Sequence, residues 1–310
     1  MANKPRNEFF DRLVYLGLRI TSMAMHWFPV DTNLRTARLI GTVWNHFDRK
    51  HRARAIANIQ RSFPHFTQAQ CGSVAKRSLQ NMFMLGVDVL HTTRLVRIDT
   101  WRKYIELDNF KKPLELLMTR NQGAIMLTGH YGNWEILGYV LATLGFESTA
   151  VARPLDNPYL NEWVFGVRKR QGQKVVGKKG ATAEISQLLA EGGVIGFVAD
   201  QNAGSKGIFV DFFGRKASTY KSIGLLAMQY DVPVVIGYAR RMNGKFRFML
   251  GTQDIIWPKD WKDQSDPLRY ITQRYTQAIE QFISDDPNQY LWAHRRWKTR
   301  PKGEQPLKYD

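Results

Sequence analysis

The stretch Gly123-Ala-Ile-Met-Leu-Thr-Gly-His-Tyr-Gly-Asn-Trp-Glu135 decides the fold class of this chain. Its apolar first half, bounded by Gly123 and Gly129, has the length and composition of a buried strand. A helical segment, 134–144, follows and stops at Gly145, a residue type common just past the end of a helix. The chain therefore passes directly from a buried strand into a helix.

The same alternation of strand and helix continues toward the C-terminus. Further strands are expected at 148–152, 174–177, 194–199, 233–239 and 245–251. Helices are expected among them at 157–171, 182–191, 220–230 and 266–283, and before the first strand at 34–63 and 67–97. This order predicts an α/β fold, in which a mixed, mostly parallel sheet is covered by helices and preceded by a helical N-terminal region. Residues 31–310 contain no linker, so we expect a single domain there.

The composition narrows the classes to which the protein can belong. Of 310 residues 44% are hydrophobic, which is enough for a sizeable core and excludes wholesale disorder. The mean hydropathy of −0.38 excludes a polytopic membrane protein. A single cysteine excludes a disulfide framework and a zinc site of clustered cysteines. The 45 Lys and Arg against 27 Asp and Glu give a charge of +18, which predicts anionic partners such as nucleic acid, a membrane surface, a phosphorylated lipid or an acidic protein.

Residues 1–30 are predicted to form a helix that associates with a membrane. The apolar run 13–28 is short and contains Arg19, whereas a spanning helix needs about 20 apolar residues. Three basic residues spaced by seven share one helical face: Arg12, Arg19 and His26. The other faces carry Phe9, Phe10, Leu13, Leu16, Ile20, Met23, Trp27 and Phe28. This amphipathic pattern is typical of a helix lying in the membrane interface, the alternative being an ordinary helix packed on the domain.

His130 and Glu135 are the candidate catalytic residues. His130 follows the strand by two residues, and Glu135 belongs to the first turn of the next helix, for which Asn133 is a plausible N-cap. Ligands of α/β proteins bind at the carboxyl ends of strands, which is where this segment lies. A histidine oriented by a carboxylate is a general base, typically worth about 10²–10⁴-fold in rate. The alternative is a pair that only caps the helix.

Polar residues that follow two other predicted strands are candidates for substrate binding. Asp200 and Gln201 follow the strand 194–199, although such residues also occur in ordinary turns. Arg153 comes just after the strand 148–152, where its guanidinium would hold a phosphate. Asn133 joins this set because it stands within the His130 segment.

Two aromatic segments add further candidates. The turn at 210–214 contains Phe212, Phe213 and Gly214 and would line a tunnel for an apolar ligand, unless its rings belong to the core. The run 290–298 interleaves aromatic and basic residues, a composition that suits nucleic acid or a lipid headgroup equally well.

Several of these segments occur together in an order that is typical of one family. They are Asn58-Ile-Gln-Arg-Ser-Phe-Pro64, His130-Tyr-Gly-Asn-Trp-Glu135, Arg153-Pro-Leu-Asp-Asn-Pro158, Asp200-Gln201, Phe212-Phe213-Gly214, Val232-Pro-Val-Val235 and Trp292-Ala-His-Arg-Arg-Trp-Lys298. Over roughly residues 50–300 the chain resembles the bacterial lipid A biosynthesis acyltransferases, the late or secondary acyltransferases. These belong to the wider lysophospholipid and glycerolipid acyltransferase superfamily, whose first motif is His, four residues, then Asp or Glu.

The resemblance implies an activity and its partners. It implies transfer of a fatty acyl chain from an acyl carrier protein thioester to a hydroxyl of a lipid A precursor, on a 3-hydroxyacyl chain of the sugar. It further implies that His130 deprotonates this hydroxyl, that Glu135 orients His130, and that no metal or dissociable cofactor is needed. The expected location is the cytoplasmic face of the cell inner membrane, reached through the N-terminal helix. The charge of +18 agrees, because the carrier protein, lipid A phosphates and the inner leaflet are anionic.

Other readings stay open at this point. Related enzymes acylate other glycolipids or lysophospholipids, and a coenzyme A thioester would serve as an alternative donor. From a different class, a basic nucleic-acid-binding protein would account for the net charge and for the aromatic and basic C-terminus. Against that class, no DNA- or RNA-binding motif occurs in the sequence, and no nucleic acid partner is expected.

Overall fold

The computed structural model describes residues 7–119, 122–152, 155–169, 173–177 and 181–305. Arg153 therefore lies outside the described residues. Within them the chain has the α/β architecture expected from its sequence: a mixed, mostly parallel sheet of seven strands flanked by helices. A two-stranded hairpin stands apart from this sheet.

In the described residues four α-helices precede the first strand: Glu8–Met25 (α1), Val30–Phe47 (α2), Arg49–Ser62 (α3) and Gln68–Leu95 (α4). The prediction of a single helix over 34–63 is wrong, because the helix is interrupted at Asp48. The backbone of Asp48 is non-helical, with φ −82° and ψ 67°, and its side chain accepts a hydrogen bond from the backbone N–H of His51. Asp48 thus caps α3, which is a favourable use of an aspartate at a helix start.

The strands are Ile105–Asp108 (β1), Ala124–Thr128 (β2), Ser148–Ala152 (β3), Gln173–Gly177 (β4), Val194–Val198 (β5), Ile208–Phe212 (β6), Arg215–Thr219 (β7), Val234–Arg241 (β8) and Phe248–Ile256 (β9). The main sheet has the order β1-β9-β8-β2-β5-β3-β4, and within it only the β8–β9 pair is antiparallel. β6 and β7 form the separate antiparallel hairpin. The apolar strands β2 and β5 are neighbours inside the sheet, so their carboxyl ends meet at one edge.

The remaining helices are Lys111–Thr119 (α5), Trp134–Thr143 (α6), Pro158–Lys169 (α7), Ala181–Ala190 (α8), Ser222–Tyr230 (α9), Pro258–Lys262 (α10) and Pro267–Asp285 (α11). β1, α5, α10 and the strands of the hairpin were not predicted from the sequence. The other expected elements are present, with ends that differ by a few residues.

One buried apolar cluster joins the helical N-terminal region to the sheet. It includes Ile59 of α3, Val74 of α4, Ile125 of β2, Ile195 of β5 and Ile279 of α11. Helices from both ends of the chain therefore pack on the sheet that carries the site. None of the helices in the described part of the chain is long and apolar enough to cross a membrane.

Candidate active site

The ends of β2 and β5 bring together two side chains that are far apart in sequence. The two strands run parallel, and Thr128 is paired with Val198. His130 and Asp200 each stand two residues beyond this pair, so the register carries both to the same point at the carboxyl edge of the sheet. Ligand sites of parallel sheets form at this edge.

The His130 ring is fixed by the carboxylate of Asp200. Its Nδ1 lies 2.6 Å from Oδ1 of Asp200, and the backbone N–H of His130 donates to Oδ2 at 3.0 Å. An ionised carboxylate only accepts hydrogen bonds, so Nδ1 carries the proton and Nε2 keeps its lone pair. The Asp200 side chain is 3% exposed and that of His130 19%, which leaves the histidine as the accessible member of the pair.

The two groups shift each other's pKa in opposite directions. Burial disfavours the charged form of His130, but the charge and hydrogen bond of Asp200, with the charge of Glu135, prevail and raise the pKa of His130 above 6.5. Burial likewise opposes ionisation of Asp200, yet its contacts with His130 lower the pKa of Asp200 to about 2. Both shifts reflect the stabilisation of an imidazolium beside a carboxylate. A general base needs this stabilisation once it has taken a proton.

The second ring nitrogen of His130 points toward a cavity of about 430 Å³, a volume within the range of small-molecule sites. Nε2 lies 3.2 Å from the amide nitrogen of Gln201, which donates to it. Trp134 presents an edge-on ring, with 4.9 Å between the centroids. All three residues line the cavity. A substrate hydroxyl that enters here reaches Nε2 by replacing the Gln201 amide.

Glu135 lies in the first turn of α6 and lines the same cavity. The sequence analysis expected Glu135 to orient the His130 ring. In the structure the carboxylate on Nδ1 is that of Asp200, while the charge of Glu135 acts on His130 from the cavity wall. The reason is the strand register, which places the carboxylate of Asp200 next to Nδ1 of His130.

The turn between β2 and α6 is anchored to the body of the protein on the side away from the cavity. Gly132 has a φ of +57°, and a Cβ there would collide with the carbonyl oxygen of Ala239, so glycine is required. The backbone N–H of Gly132 donates to the Gln289 carbonyl at 3.0 Å, and that of Asn133 donates to Ala239 at 2.9 Å. The backbone directly after His130 is therefore held by two other segments of the chain.

Asn133 caps α6, as expected, but does not line the cavity. Its Oδ1 accepts from the backbone N–H of Ile136 at 3.1 Å, and its Nδ2 donates to Asp88 at 3.2 Å. Because the residue is 1% exposed, both polar atoms of its side chain serve the fold. The structure does not bring Asn133 to the site as a substrate-binding residue.

The turn of Phe212, Phe213 and Gly214 also lies away from this cavity. Phe213 and Gly214 have φ values of +52° and +67° and connect β6 to β7, as in a two-residue type I′ hairpin. The ring of Phe212 is buried and stacks on Trp297 at 5.6 Å. In the described structure these rings belong to the core, the alternative that the sequence analysis left open.

The aromatic and basic run near the C-terminus is largely buried. Trp292 and Trp297 are 1% and 0% exposed, whereas stacking on bases needs accessible rings. Arg296 is buried too, and it donates to the carbonyl of Ser218 and to the hydroxyl of Thr219, both at 2.6 Å. The segment ties the hairpin to the loop after β5 rather than presenting a surface to nucleic acid or lipid.

Four residues of the apolar cavity wall were not predicted from the sequence. Phe110, Met126, Leu141 and Gly196 line the cavity, and none had been singled out. The available signal was Gly196, since a glycine in the middle of an otherwise apolar strand often marks a close approach to a ligand or another backbone. Among the residues that the structure describes, no group of three or more His, Cys, Asp or Glu side chains could hold a metal ion.

Known proteins are similar to this chain over most of its length. Residues 8–299 match the model of the family described as bacterial lipid A biosynthesis acyltransferase. A lipid A biosynthesis acyltransferase of Haemophilus influenzae is 26% identical over 272 residues, which cover 84% of this chain and 80% of the relative. A palmitoleoyltransferase and a lauroyltransferase of lipid A biosynthesis from Escherichia coli are 27% and 25% identical, over 86% and 82% of this chain and 85% and 81% of the relatives.

Proposed function

The chain belongs to the bacterial lipid A biosynthesis acyltransferase family, and we propose that it transfers a fatty acyl group from an acyl carrier protein thioester to a hydroxyl of a lipid A precursor. The acceptor hydroxyl belongs to a 3-hydroxyacyl chain already on the sugar. The observation that carries the proposal is the His130–Asp200 pair, whose histidine lines a largely apolar cavity. The cavity would hold hydrocarbon while the pair activates the hydroxyl.

In the proposed reaction His130 acts as general base. The hydroxyl gives its proton to Nε2 of His130 as its oxygen attacks the thioester carbonyl. An ester bond forms, the carbon–sulfur bond breaks, and the imidazolium returns the proton to the departing thiolate. Asp200 holds the ring and stabilises its positive charge, and Glu135 adds a second negative charge nearby.

The net charge of the chain supports the proposed donor and the proposed acceptor. The net charge of +18 favours the acidic carrier protein and the phosphates of a lipid A precursor. Arg153 remains a proposed phosphate ligand, as the resemblance and its position after β3 suggest. An acyl-coenzyme A donor, or another glycolipid or lysophospholipid acceptor, is the alternative within the same chemistry.

His130→Ala tests the role of the base. We expect kcat to fall by at least about 10²-fold, because the variant lacks the general base. The assay is single-turnover transfer from acyl carrier protein or acyl-coenzyme A to a defined lipid A precursor, after circular dichroism has shown that the variant is folded. Near-normal transfer by folded His130→Ala would overturn the mechanism.

We also propose that α1 attaches the enzyme to the cytoplasmic face of the inner membrane. Two of its basic residues contact α7 while remaining exposed: Arg12 donates to the hydroxyl of Tyr159 at 2.8 Å, and Arg19 lies 5.7 Å from the ring of Trp163. Its large apolar residues are exposed: Phe9, Phe10, Leu13, Leu16, Ile20 and Met23, followed by Trp27 and Phe28. An apolar face turned away from the protein supports insertion into the lipid interface.

Exposed apolar side chains also occur on α2. Leu39, Ile40, Val43, Trp44 and Phe47 are exposed there, and the exposed cations Arg49 and Lys50 follow at the start of α3. Hydrocarbon contact beside positive charge suits an anionic bilayer surface. The proposed attachment therefore extends beyond the first 30 residues.

A further inference from the structure

A row of small and apolar residues crosses the sheet beneath the cavity. Strand pairing sets Ala150, Gly196 and Met126 side by side on β3, β5 and β2. All three line the cavity. The row at Thr128 is the one nearer to His130. Because residues two apart on a strand share a face, the row of Met126 lies about 7 Å below the row at Thr128, deeper in the cavity.

Gly196 leaves this row open where a side chain would otherwise stand. It lies in the middle of β5, between two other strands, and yet it is partly exposed. A Cβ built on it would have only the carbonyl oxygen of Thr149 within 4 Å, at 3.8 Å. A methyl group therefore fits without any shift of the fold, and anything larger would extend into the cavity.

The deep end of the cavity is closed by packed hydrocarbon. Phe110, Leu141 and Met126 line it and belong to an apolar cluster that also includes Leu117 and Phe146. Leu141 is seven residues along α6 from Trp134, a rise of about 10 Å. An apolar slot therefore runs from the catalytic histidine to this packed cluster.

We propose that this slot holds the hydrocarbon tail of the acyl donor and that Gly196 sets the length of chain that is transferred. The inference rests on the proposed function. A thioester carbonyl at His130 points its chain down the slot to the row of Gly196 and Met126. Each methylene added to the acyl chain gains apolar contact until the chain reaches the packed cluster of Phe110 and Leu141. A longer chain must displace these packed side chains.

Substitutions at two neighbouring positions of this row, Gly196 and Met126, should move the chain-length preference in opposite directions. Gly196→Ala and Gly196→Leu shorten the slot, and Met126→Ala deepens it. One methylene in an apolar pocket changes kcat/KM by about 10–200-fold, so we expect Gly196→Leu to lower the long-to-short ratio at least about tenfold. Gly196→Ala should lower it less, and Met126→Ala should raise it.

The measurement is competition among decanoyl-, dodecanoyl-, tetradecanoyl- and hexadecanoyl-carrier protein for one lipid A precursor, read by mass spectrometry. Ile195→Val is the matched control: it lies on the same strand, faces the buried core and does not line the cavity. Its chain preference should equal that of the unmodified enzyme. Gly196→Ala keeps the test decisive if Gly196→Leu fails to fold.

Binding of free fatty acids, measured by calorimetry, separates the two proposals. If the slot holds hydrocarbon, the chain length bound most tightly shifts in the Gly196 variants as the transfer preference does. Transfer by all variants with one unchanged preference would overturn the role of Gly196 and leave the proposed function standing. Fatty acid binding with the expected shifts, but no transfer to any lipid A precursor by the unmodified enzyme, would overturn the proposed function and leave the slot.

Discussion

At the scale of single residues, the protonation of His130 should make the activity of the enzyme depend on pH. A base works when neutral, so kcat/KM should rise with pH through the pKa of His130, which Asp200 holds above 6.5. Asp200→Asn removes that charge, so the rising limb should move to lower pH. The plateau should also fall, by about 10²-fold or more, because an amide NH₂ facing Nδ1 favours the wrong tautomer.

Glu135→Gln is the comparison for this prediction. Glu135 acts on His130 through charge, whereas Asp200 also makes the hydrogen bond. The rising limb of the pH profile of Glu135→Gln should therefore also move to lower pH, but by a smaller amount. Profiles of kcat/KM against pH for the three proteins provide the measurement, and an unchanged limb in Asp200→Asn would contradict the assignment.

At the scale of elements, α1 is an amphipathic helix with its apolar face outward. Ile20→Glu with Met23→Glu places two charges on that face at positions 66% and 62% exposed, where folding does not depend on them. Each large apolar side chain contributes about 1.5–3 kcal/mol when fully buried. We expect affinity for vesicles containing phosphatidylglycerol to fall at least about tenfold, measured by co-sedimentation.

Met118→Glu is the matched control for α1. Met118 lies on α5 and is 66% exposed, as Ile20 is. The substitution adds one of the two charges at the same exposure as Ile20, so a general electrostatic effect would appear in both proteins, at about half the size for Met118→Glu. Equal vesicle binding by the α1 variant and the unmodified protein would rule out α1 as the attachment surface.

At the scale of the whole molecule, a buried ion pair ties the N-terminal helices to the sheet and the site. Arg241 at the end of β8 donates to both carboxylate oxygens of Asp88 on α4, and Asn133 donates to the same carboxylate. Asp88→Ala leaves the guanidinium buried without its counter-charge. We expect the free energy of unfolding to fall by about 3–5 kcal/mol, measured by urea denaturation.

The exposed pair of Arg97 and Asp99 provides the contrast. Both side chains are 60% exposed, and Asp99→Ala should change stability by no more than about 1 kcal/mol. Asp88→Ala combined with Arg241→Met should cost less than Asp88→Ala alone, because the unpaired charge is then absent. A loss no larger for Asp88→Ala than for Asp99→Ala would show that the buried pair does not anchor the fold.

Periodicity and breaker residues were sufficient to predict most of the fold. Apolar runs bounded by glycine predicted the inner strands of the sheet, since a strand buried on both faces must be apolar throughout. The edge strand β1 was missed because its sequence, Ile-Glu-Leu-Asp, carries no such signal. The hairpin was recognised only as a turn, because strand pairing depends on contacts that a local pattern does not contain.

The sequence by itself determined the α/β class, the His130 segment at a strand end and the amphipathic character of α1. Each of these follows from neighbours along the chain. The tertiary structure decided that Asp200 holds the His130 ring, that Asn133, Phe212 and Phe213 serve the fold, and which face of α1 turns outward. It also formed the slot at Gly196. These depend on strand register and helix packing, which join residues 70 positions apart, and spacing along the chain does not encode such distances.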